Sequence, residues 1–295
     1  MTGPGRVLVL GASGFFGSRI AAELAAAGIE VLGPERSESE LLDPAGLSEL
    51  VAATAPAAVV NAAGMTSPAS ARANPSACFA VNAGGALNLL EALRQRAPGA
   101  QLVSLSSAAV YAGSAPFDES SATAATTPYA ASKLAMETIC GQYRRGYGIP
   151  VTVLRCFNLI GPGEPSTQAS SEFVRAALAA GTGGRAEVEV GEPATARDFT
   201  DVRDAARAVR RVLEEEATGT LNLCSGKATS LAELAALTGE LTGVDLTLRG
   251  SGTGRPASGL LSIRGDFSKL RELTGWRPGI TLERSLTDLI ESLRP

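Results

Sequence analysis

The chain has 295 residues, of which 45% are hydrophobic, 19% charged and 4% aromatic, and its formal net charge is -4. This length can bury a large core, and an acidic balance without a basic stripe argues against a nucleic acid as the partner. No uninterrupted apolar run approaches the ~18 residues that span a bilayer, and the first residues lack the apolar stretch of a signal peptide. We therefore expect a cytoplasmic protein with no membrane partner.

The composition contains no histidine. Imidazole is the usual general base and a common metal ligand near neutral pH, so histidine triads and histidine-containing zinc sites are excluded, and we predict no metal. The cysteines Cys78, Cys140, Cys156 and Cys224 stand singly, without a C-x-x-C pair, which predicts reduced and mostly buried thiols. Any chemistry must use Tyr, Lys, Ser, carboxylates or a cofactor.

The first half of the chain alternates short apolar runs with helical patterns. Strands are predicted at residues 6–10, 31–32, 57–61, 102–106 and 151–154, and helices at 14–27, 75–96 and 128–145. Continuously apolar strands that alternate with helices indicate a parallel sheet covered on both faces, that is, an α/β fold of the Rossmann type with a doubly wound sheet.

Beyond Gly161 the pattern becomes irregular, as in a smaller C-terminal α/β lobe that holds a substrate, and a last helix is predicted at residues 282–293. We predict a dinucleotide-binding domain at residues 1–160, with residues 196–217 returning to it. Residues 161–195 and 218–295 then form the substrate lobe.

Three glycines in a G-x-x-G-x-x-G spacing, Gly11, Gly14 and Gly17, follow the first strand and open the first helix. Glycines are needed where the backbone turns tightly and approaches a pyrophosphate at a helix N-terminus. The motif predicts a dinucleotide site at the start of the chain; the alternative is a plain strand–helix turn with incidental glycines.

Tyr129 and Lys133 are four residues apart on a predicted helix, so the phenol and the ammonium share one face. A nearby cation lowers the pKa of a phenol, which would make Tyr129 an acid–base group without histidine. Ser107 ends a predicted strand, where ligands bind in open parallel sheets and where a hydroxyl can hold a substrate oxygen. In isolation, these residues would indicate a surface helix and a strand-capping serine. Together and in this order, they predict a hydride-transfer site.

Further segments widen the pattern to nearly the whole chain, and with them it resembles the extended branch of the short-chain dehydrogenase/reductase family, of the NAD-dependent epimerase/dehydratase type. These segments are residues 61–64, 81–92, 155–163, 197–204, 222–226 and 269–278. Members act on nucleotide-diphosphate sugars, and the segments of the second half most resemble bacterial GDP-6-deoxy-D-mannose reductases, which reduce a 4-keto sugar.

The resemblance implies roles for individual residues. Tyr129 would transfer a proton at the sugar C4 oxygen, Lys133 would bind the nicotinamide ribose and lower the pKa of Tyr129, and Ser107 would hold the C4 oxygen. The implied cofactor contacts are Gly11, Ser13, Gly14, Phe15, Phe16, Gly17, Glu35, Arg36, Asp43, Asn61, Ala62, Ala63 and Lys133. Asn158, Arg197 and Arg255 would contact the nucleotide sugar, the arginines at its phosphates. For Asp43, the alternative to an adenine contact is an N-cap before Pro44.

The residues after Ser107 limit the reaction. In the family's 4,6-dehydratases an acid and a base occupy these positions, whereas here they are Ala108 and Ala109. Dehydration is therefore disfavoured, and the lack of histidine also disfavours 3,5-epimerisation. We favour an NAD(P)H-dependent reduction of the C4 ketone of a GDP- or dTDP-linked 4-keto-6-deoxyhexose. A 4-epimerase that keeps its NAD and a non-catalytic nucleotide sensor stay as alternatives.

The choice of cofactor depends on the end of the second strand, where Glu35 and Arg36 offer one residue of each charge. An acid there binds the ribose hydroxyl of NAD, and an arginine accommodates the 2′-phosphate of NADP. We favour NADP(H) over NAD(H) because Arg36 is present and a reductase draws on the reducing pool.

The helices predicted at residues 75–96 and 128–145 resemble those that form a homodimer interface in the family; alternatively, both simply cover the sheet.

Overall fold

The computed structural model describes residues 5–35, 40–252 and 259–294. The strands in chain order are β1 (Val7–Leu10), β2 (Val31–Leu32), β3 (Ala58–Asn61), β4 (Gln101–Ser107), β5 (Val151–Cys156), β6 (Asn158–Ile160), β7 (Arg185–Val190), β8 (Ala196–Asp201), β9 (Gly219–Leu223), β10 (Ala228–Ser230), β11 (Asp245–Gly250) and β12 (Ser262–Ile263). The helices are α1 (Phe15–Ala26), α2 (Pro44–Thr54), α3 (Pro68–Ala73), α4 (Pro75–Phe79), α5 (Gly85–Arg96), α6 (Pro128–Tyr147), α7 (Ala169–Ala180), α8 (Val202–Glu214), α9 (Leu231–Thr242), α10 (Ser268–Thr274) and α11 (Leu282–Leu293).

The main sheet has six strands in the order β2-β1-β3-β4-β5-β9, and every neighbouring pair is parallel. The chain leaves β1 toward β2 and then returns to β3 on the other side of β1. Ligands of open parallel sheets bind at such a reversal, beyond the carboxyl ends of the strands. The Rossmann-type α/β fold that the sequence predicts is confirmed.

Both faces of this sheet are covered by helices. Val7 and Val9 pack with α1 and α8 on one face, while Leu8 and Leu10 pack with α2, α5 and α6 on the other. Each of these four side chains is fully buried, and burial of one such side chain stabilises the fold by about 1.5–3 kcal/mol. Two-sided burial explains why β1 is apolar throughout instead of alternating with polar residues.

The smaller lobe is built on a second sheet, in which β8 lies between β10 and β12 and also pairs with β6. A separate parallel pair, β7 with β11, packs with α7, α9 and α11 around Phe173, Leu234 and Leu289. The sheets therefore cross the predicted boundaries at three places. Strand β6, placed in the dinucleotide-binding domain by the sequence, pairs with β8 in the smaller sheet. Strand β9, placed in the lobe by the sequence, is an edge strand of the main sheet, and β8, placed in the returning segment, belongs to the lobe.

The helix predicted at residues 75–96 is continuous, but its middle winds as a π-helical turn, Ala80–Gly84, between α4 and α5. Within the described residues, Pro75–Arg96 is the helix long and apolar enough to cross a membrane by length and composition. In its most apolar window 44% of the residues are buried inside the fold, as in a core helix, and α5 packs against α2 and α6.

Candidate active site

The glycine turn after β1 packs directly against the chain that leaves β3. Gly11 has a φ of +79°, and a Cβ there would lie 2.8 Å from the backbone nitrogen of Ala63. A Cβ on Gly17 would overlap the carbonyl of Gly11, at 2.8 Å from its carbon and closer still to its oxygen. The turn therefore has no room for side chains at these two positions, which distinguishes it from a turn with incidental glycines.

Replacement of Gly17 by alanine should weaken NADPH binding at least tenfold, because the added methyl group must push Gly11 and the turn out of place. Gly84 is the matched control: it is also helical, and a Cβ there meets no atom within 4 Å. Titration of nicotinamide fluorescence measures both variants. Equal affinities for Gly17→Ala and Gly84→Ala would contradict a role of this turn in cofactor binding.

The N-terminus of α1 is open to an anion. Its N-cap, Gly14, offers no capping side chain, and the first turn carries no acidic residue, whereas α6 is capped by Thr127 and α2 by Asp43. Free amides and the helix dipole favour a phosphate at such an end. Next to this turn, the buried Oδ1 atom of Asn61 at the end of β3 has no hydrogen-bond partner within the described residues. These residues fit a dinucleotide: the turn suits the pyrophosphate, and Asn61 keeps a polar atom for the ligand.

Other predicted cofactor residues lie around the same turn. Ser13 is exposed, while Phe15, Phe16, Ala62 and Ala63 are half-buried.

Three of the predicted cofactor contacts are Glu35 and Arg36 after β2 and Asp43 before α2. Glu35 is exposed after β2, and Arg36 lies outside the described residues. The carboxylate of Asp43 accepts a hydrogen bond from the Gly46 nitrogen at 3.0 Å and caps α2, so the N-cap that the sequence left open as an alternative is present. An adenine contact of Asp43 stays a prediction.

Tyr129 and Lys133 lie on the first two turns of α6. Thr127 begins this helix by accepting a hydrogen bond from the Ala130 nitrogen, and Pro128 occupies the first helical position. Lys133 is 5% exposed, and its Nζ donates to the Leu105 carbonyl of β4 at 2.8 Å. A Cβ built on Gly64, after β3, would lie 3.7 Å from the same Nζ. The ammonium is thus held between the carboxyl ends of β3 and β4, where a nicotinamide ribose would bind.

Ser107 joins this group from the end of β4. Ser107 lies close enough to the Tyr129 phenol to lower its pKa. Its hydroxyl accepts a hydrogen bond from the Ala109 nitrogen at 3.1 Å and caps a 3-10 turn over Ala108–Val110. The structure therefore brings the three predicted catalytic residues together. Ala108 and Ala109 form the turn beside them, and neither side chain can transfer a proton.

Burial changes the acidity of these groups. It raises the pKa of Tyr129 to about 12, while the hydrogen bond with Ser107 lowers it by less. Burial also lowers the pKa of Lys133. The lowering of the Tyr129 pKa by Lys133 that the sequence implies stays a prediction, since loss of solvation is the largest cause of the shift in the protein alone. Tyr129 is therefore a neutral phenol over the whole neutral pH range, ready to donate a proton.

Asn82 supports the site from the π-helical turn, and the sequence analysis gave it no role. Its amide donates to the Met65 carbonyl and to the Ser132 hydroxyl at 3.0 and 2.9 Å, and its Oδ1 accepts from the Met65 nitrogen at 2.9 Å. Asn82 thus fixes the loop that contains Gly64 against α6. The signal available in the sequence was a buried polar residue in an otherwise apolar helix, which requires partners.

The predicted substrate residues lie on the lobe side of the site. Asn158 begins β6, two residues after β5 ends. Arg197 on β8 donates to the carbonyls of Ala196, Leu260 and Leu261. Burial lowers the pKa of Arg197, and within residues 5–35, 40–252 and 259–294 it forms no ion pair. Arg255 lies outside the described residues.

An open cleft of about 570 Å³ separates the loop after the 3-10 turn from the lobe. Residues 113–115 line one side, and residues 259–262 with Ala228 and Arg264 line the other. Its volume suits a ligand of nucleotide size, and Leu260 and Leu261 connect its wall to Arg197.

A glycine-rich dinucleotide turn, with the half-buried Tyr129 and the buried Lys133 beyond the carboxyl ends of a parallel sheet, defines an NAD(P)-dependent oxidoreductase. Residues 7–224 match the model of the NAD dependent epimerase/dehydratase family, and the chain belongs to this family.

The comparisons also give individual relatives. The chain is 34% identical over 292 residues to a GDP-6-deoxy-D-mannose reductase of Pseudomonas aeruginosa, covering 97% of this chain and 96% of that protein. Among solved structures, it resembles RMD from Pseudomonas aeruginosa complexed with NADPH, with a TM-score of 0.87, 32% identity and 98% of each chain covered. It also resembles a UDP-glucose 4-epimerase of Thermus thermophilus in complex with NAD, with a TM-score of 0.87 and 27% identity over 98% of this chain and 99% of that one.

Proposed function

We propose that this enzyme reduces the C4 ketone of a GDP- or dTDP-linked 4-keto-6-deoxyhexose with NADPH, as a step of deoxysugar biosynthesis. The observation that carries the proposal is the neutral Tyr129 phenol beside Ser107, which is followed in the chain by Ala108 and Ala109 instead of an acid and a base. This arrangement contains one proton donor for one oxygen, which is what the reduction of a ketone requires.

In this mechanism each residue has one task. Lys133 binds the nicotinamide ribose, and Ser107 donates a hydrogen bond to the C4 oxygen as negative charge develops on it. Tyr129 gives its phenolic proton to the same oxygen. When NADPH is bound at the glycine turn, it supplies the hydride. Because burial keeps the phenol protonated, with a pKa of about 12, Tyr129 is in the acidic form that reduction needs before each turnover.

Arg197 supports a diphosphate in the substrate. A half-buried guanidinium that contacts only backbone carbonyls in the described structure keeps donors for an anion, and arginine binds phosphate with two parallel hydrogen bonds. Asn158 begins β6, which leads from β5 of the main sheet into the smaller sheet. We propose that its side chain contacts the sugar. The similarity to a GDP-6-deoxy-D-mannose reductase supports the same substrate class.

The experiment offers GDP- and dTDP-linked 4-keto-6-deoxyhexoses to the purified enzyme with NADPH and then with NADH. We expect one cofactor oxidised per sugar reduced, and a higher kcat/KM with NADPH, in line with the relative crystallised with NADPH. No cofactor oxidation with either sugar nucleotide would reject the proposal.

A 4-epimerase is the second candidate, because the fold matches a UDP-glucose 4-epimerase as closely as it matches the reductase. An epimerase must first remove the proton of the C4 hydroxyl, for which a phenol with a raised pKa is poorly suited. Interconversion of two nucleotide hexoses without added cofactor, by an enzyme that keeps NAD through gel filtration, would favour this candidate over the reductase.

We also propose a homodimer formed through α4, α5 and α6. Phe79, Leu87 and Tyr147 are large apolar side chains exposed on these helices by 40%, 40% and 53%, and the Arg94 guanidinium lies over the Tyr147 ring. Light scattering after gel filtration should give twice the chain mass, and Leu87→Glu should give the monomer. A wild-type monomer would contradict this interface.

The free state of all four cysteines supports a cytoplasmic location, where thiols stay reduced.

A further inference from the structure

A buried ion pair lies next to the active site, and the mechanism above does not use it. Arg155 on β5 donates from Nη2 to Oε2 of Glu137 on α6 at 2.7 Å, and its Nε lies 3.1 Å from both carboxylate oxygens. The two side chains are 8% and 7% exposed. The pair is therefore charge-assisted, held by several hydrogen bonds and almost completely removed from water.

The Glu137 carboxylate also holds the strand that carries Ser107. The Ser106 hydroxyl donates to Oε1 of Glu137 at 2.5 Å, and Ser106 directly precedes Ser107 at the end of β4. On α6, Glu137 lies one turn after Lys133, on the same side of the helix. One carboxylate thus connects α6, β4 and β5 at the level of the catalytic groups.

Arg155 is itself held on its other side. Its guanidinium lies over the ring of Tyr111, 4.8 Å from the centroid, and the Tyr111 hydroxyl donates to Oδ1 of Asn222 at 2.6 Å. The Asn222 nitrogen in turn donates to a carboxylate oxygen of Glu119 at 2.7 Å. The network extends from α6 across β4 and β5 to β9, so the arginine cannot move without disturbing several hydrogen bonds.

A buried ion pair adds little net stability, since the cost of desolvating two charges offsets their attraction. What such an ion pair does provide is a fixed geometry between the elements that carry its two charges. We propose that Glu137 and Arg155 are positioning residues, which fix α6 against the ends of β4 and β5 so that Tyr129, Lys133 and Ser107 keep their mutual arrangement. This inference rests on the proposed function, in which those three residues carry out the proton transfer.

The charge of Glu137 influences the pH at which Lys133 loses its proton. A residue with a purely packing role would not change that pH. The titratable groups that act on Lys133 or share its helix face are Cys78 from α4, Tyr129, Glu137 and Cys140 from α6, and Cys156 from β5. Thiols and phenols are mostly neutral near pH 7, so Glu137 is the anion of this set. It raises the pKa of Lys133 against the lowering by burial. Removal of its charge should therefore shift the deprotonation of Lys133 to lower pH.

The test compares Glu137→Gln, Glu137→Asp and Ser106→Ala with a matched control in the lobe. The control is Asp288→Asn, which alters an ion pair between a buried carboxylate, Asp288, and the partly exposed Arg203. Two properties are measured: kcat and KM for the 4-keto sugar, and the pH profile of NADPH binding by nicotinamide fluorescence, which needs no sugar.

We expect Glu137→Gln to lower kcat 10- to 100-fold with KM changed less than threefold, because the proton donor is misplaced while the substrate contacts remain. In the pH profile of NADPH binding, the loss of affinity at high pH (the alkaline limb) should begin at a lower pH in this variant, because Lys133 loses its proton more easily. Glu137→Asp and Ser106→Ala should lower kcat at least threefold and keep the wild-type limb, since the charge is preserved. Asp288→Asn should change neither property.

An alkaline limb at the wild-type pH in Glu137→Gln, or an equal loss of kcat in Asp288→Asn, would overturn the proposal. If Glu137→Gln does not fold, wild-type kcat values for both Glu137→Asp and Ser106→Ala would overturn it as well, and the expected losses would support it. A wild-type enzyme that binds NADPH but reduces no 4-keto sugar would reject the proposed function instead. The NADPH-binding profile would then still decide the role of Glu137.

Discussion

Replacement of Tyr129 by phenylalanine should lower kcat for ketone reduction about 10²–10⁴-fold, the range that a positioned general acid contributes. KM for the sugar and the affinity for NADPH should change little, because only one hydroxyl is removed. The phenol lies beside Ser107, and no acid follows in the adjacent turn of Ala108–Val110 to take its place.

The pH dependence of kcat in the wild type is a second test of Tyr129 as the proton donor. Because burial raises the pKa of Tyr129 to about 12, the donor stays protonated up to strongly alkaline pH in the protein alone. We therefore expect kcat to show no loss from deprotonation of the phenol between pH 6 and 9, as measured with saturating NADPH and sugar. A Tyr129→Phe enzyme with wild-type kcat would show that another group donates the proton.

Replacement of Lys133 by methionine should abolish most of the activity while leaving the fold intact. NADPH binding and kcat should each fall at least about tenfold, because the variant loses the cation and hydrogen-bond donor next to the ribose. The side chain is 5% exposed and its Nζ donates to the Leu105 carbonyl at 2.8 Å. A methionine of similar length fills the same space without a buried charge.

The stability of Lys133→Met should equal or exceed that of the wild type at pH 7. Burial lowers the pKa of Lys133 in the folded state, so the folded protein binds its proton less tightly than the unfolded chain does. The resulting destabilisation is fully present below the folded pKa and disappears as the pH rises toward the unfolded value. The difference in melting temperature between variant and wild type should therefore shrink at alkaline pH.

Lys269 is the matched control for this variant. Its Nζ also donates to a backbone carbonyl at 2.8 Å, that of Thr220, but the residue is exposed. Lys269→Met should keep wild-type kcat and NADPH affinity. Full activity of Lys133→Met, or an equal loss in Lys269→Met, would contradict the assignment of Lys133 to the cofactor site.

The parts of the fold that local pattern encodes could be predicted from the sequence. Strands β1, β3, β4 and β5 are apolar because both sheet faces are covered, and the glycine turn follows from spacing alone. Tyr129 and Lys133 share a helix face because they are four residues apart, and β4 delivers Ser107 to the same sheet end.

Pairings between distant segments could not be predicted in the same way. Strand β9 joins the main sheet beside β5, at a sequence separation of more than sixty residues, and nothing in its own five residues distinguishes it from a strand of the lobe. The Glu137–Arg155 pair has the same origin, since its charges meet only after α6 packs on β5. The raised pKa of Tyr129 could not be predicted either, because its main cause is burial, which depends on the whole fold and not on a neighbour along the helix.

The central claim is that NADPH delivers a hydride to C4 of the sugar while Tyr129 protonates the oxygen. The most direct measurement uses NADPH deuterated at the transferred position and a GDP- or dTDP-linked 4-keto-6-deoxyhexose, with the product read by NMR. We predict one deuterium at C4 of the product with wild type and a strongly reduced rate of its incorporation with Tyr129→Phe. Product without deuterium at C4, or equal rates for both enzymes, would contradict the account.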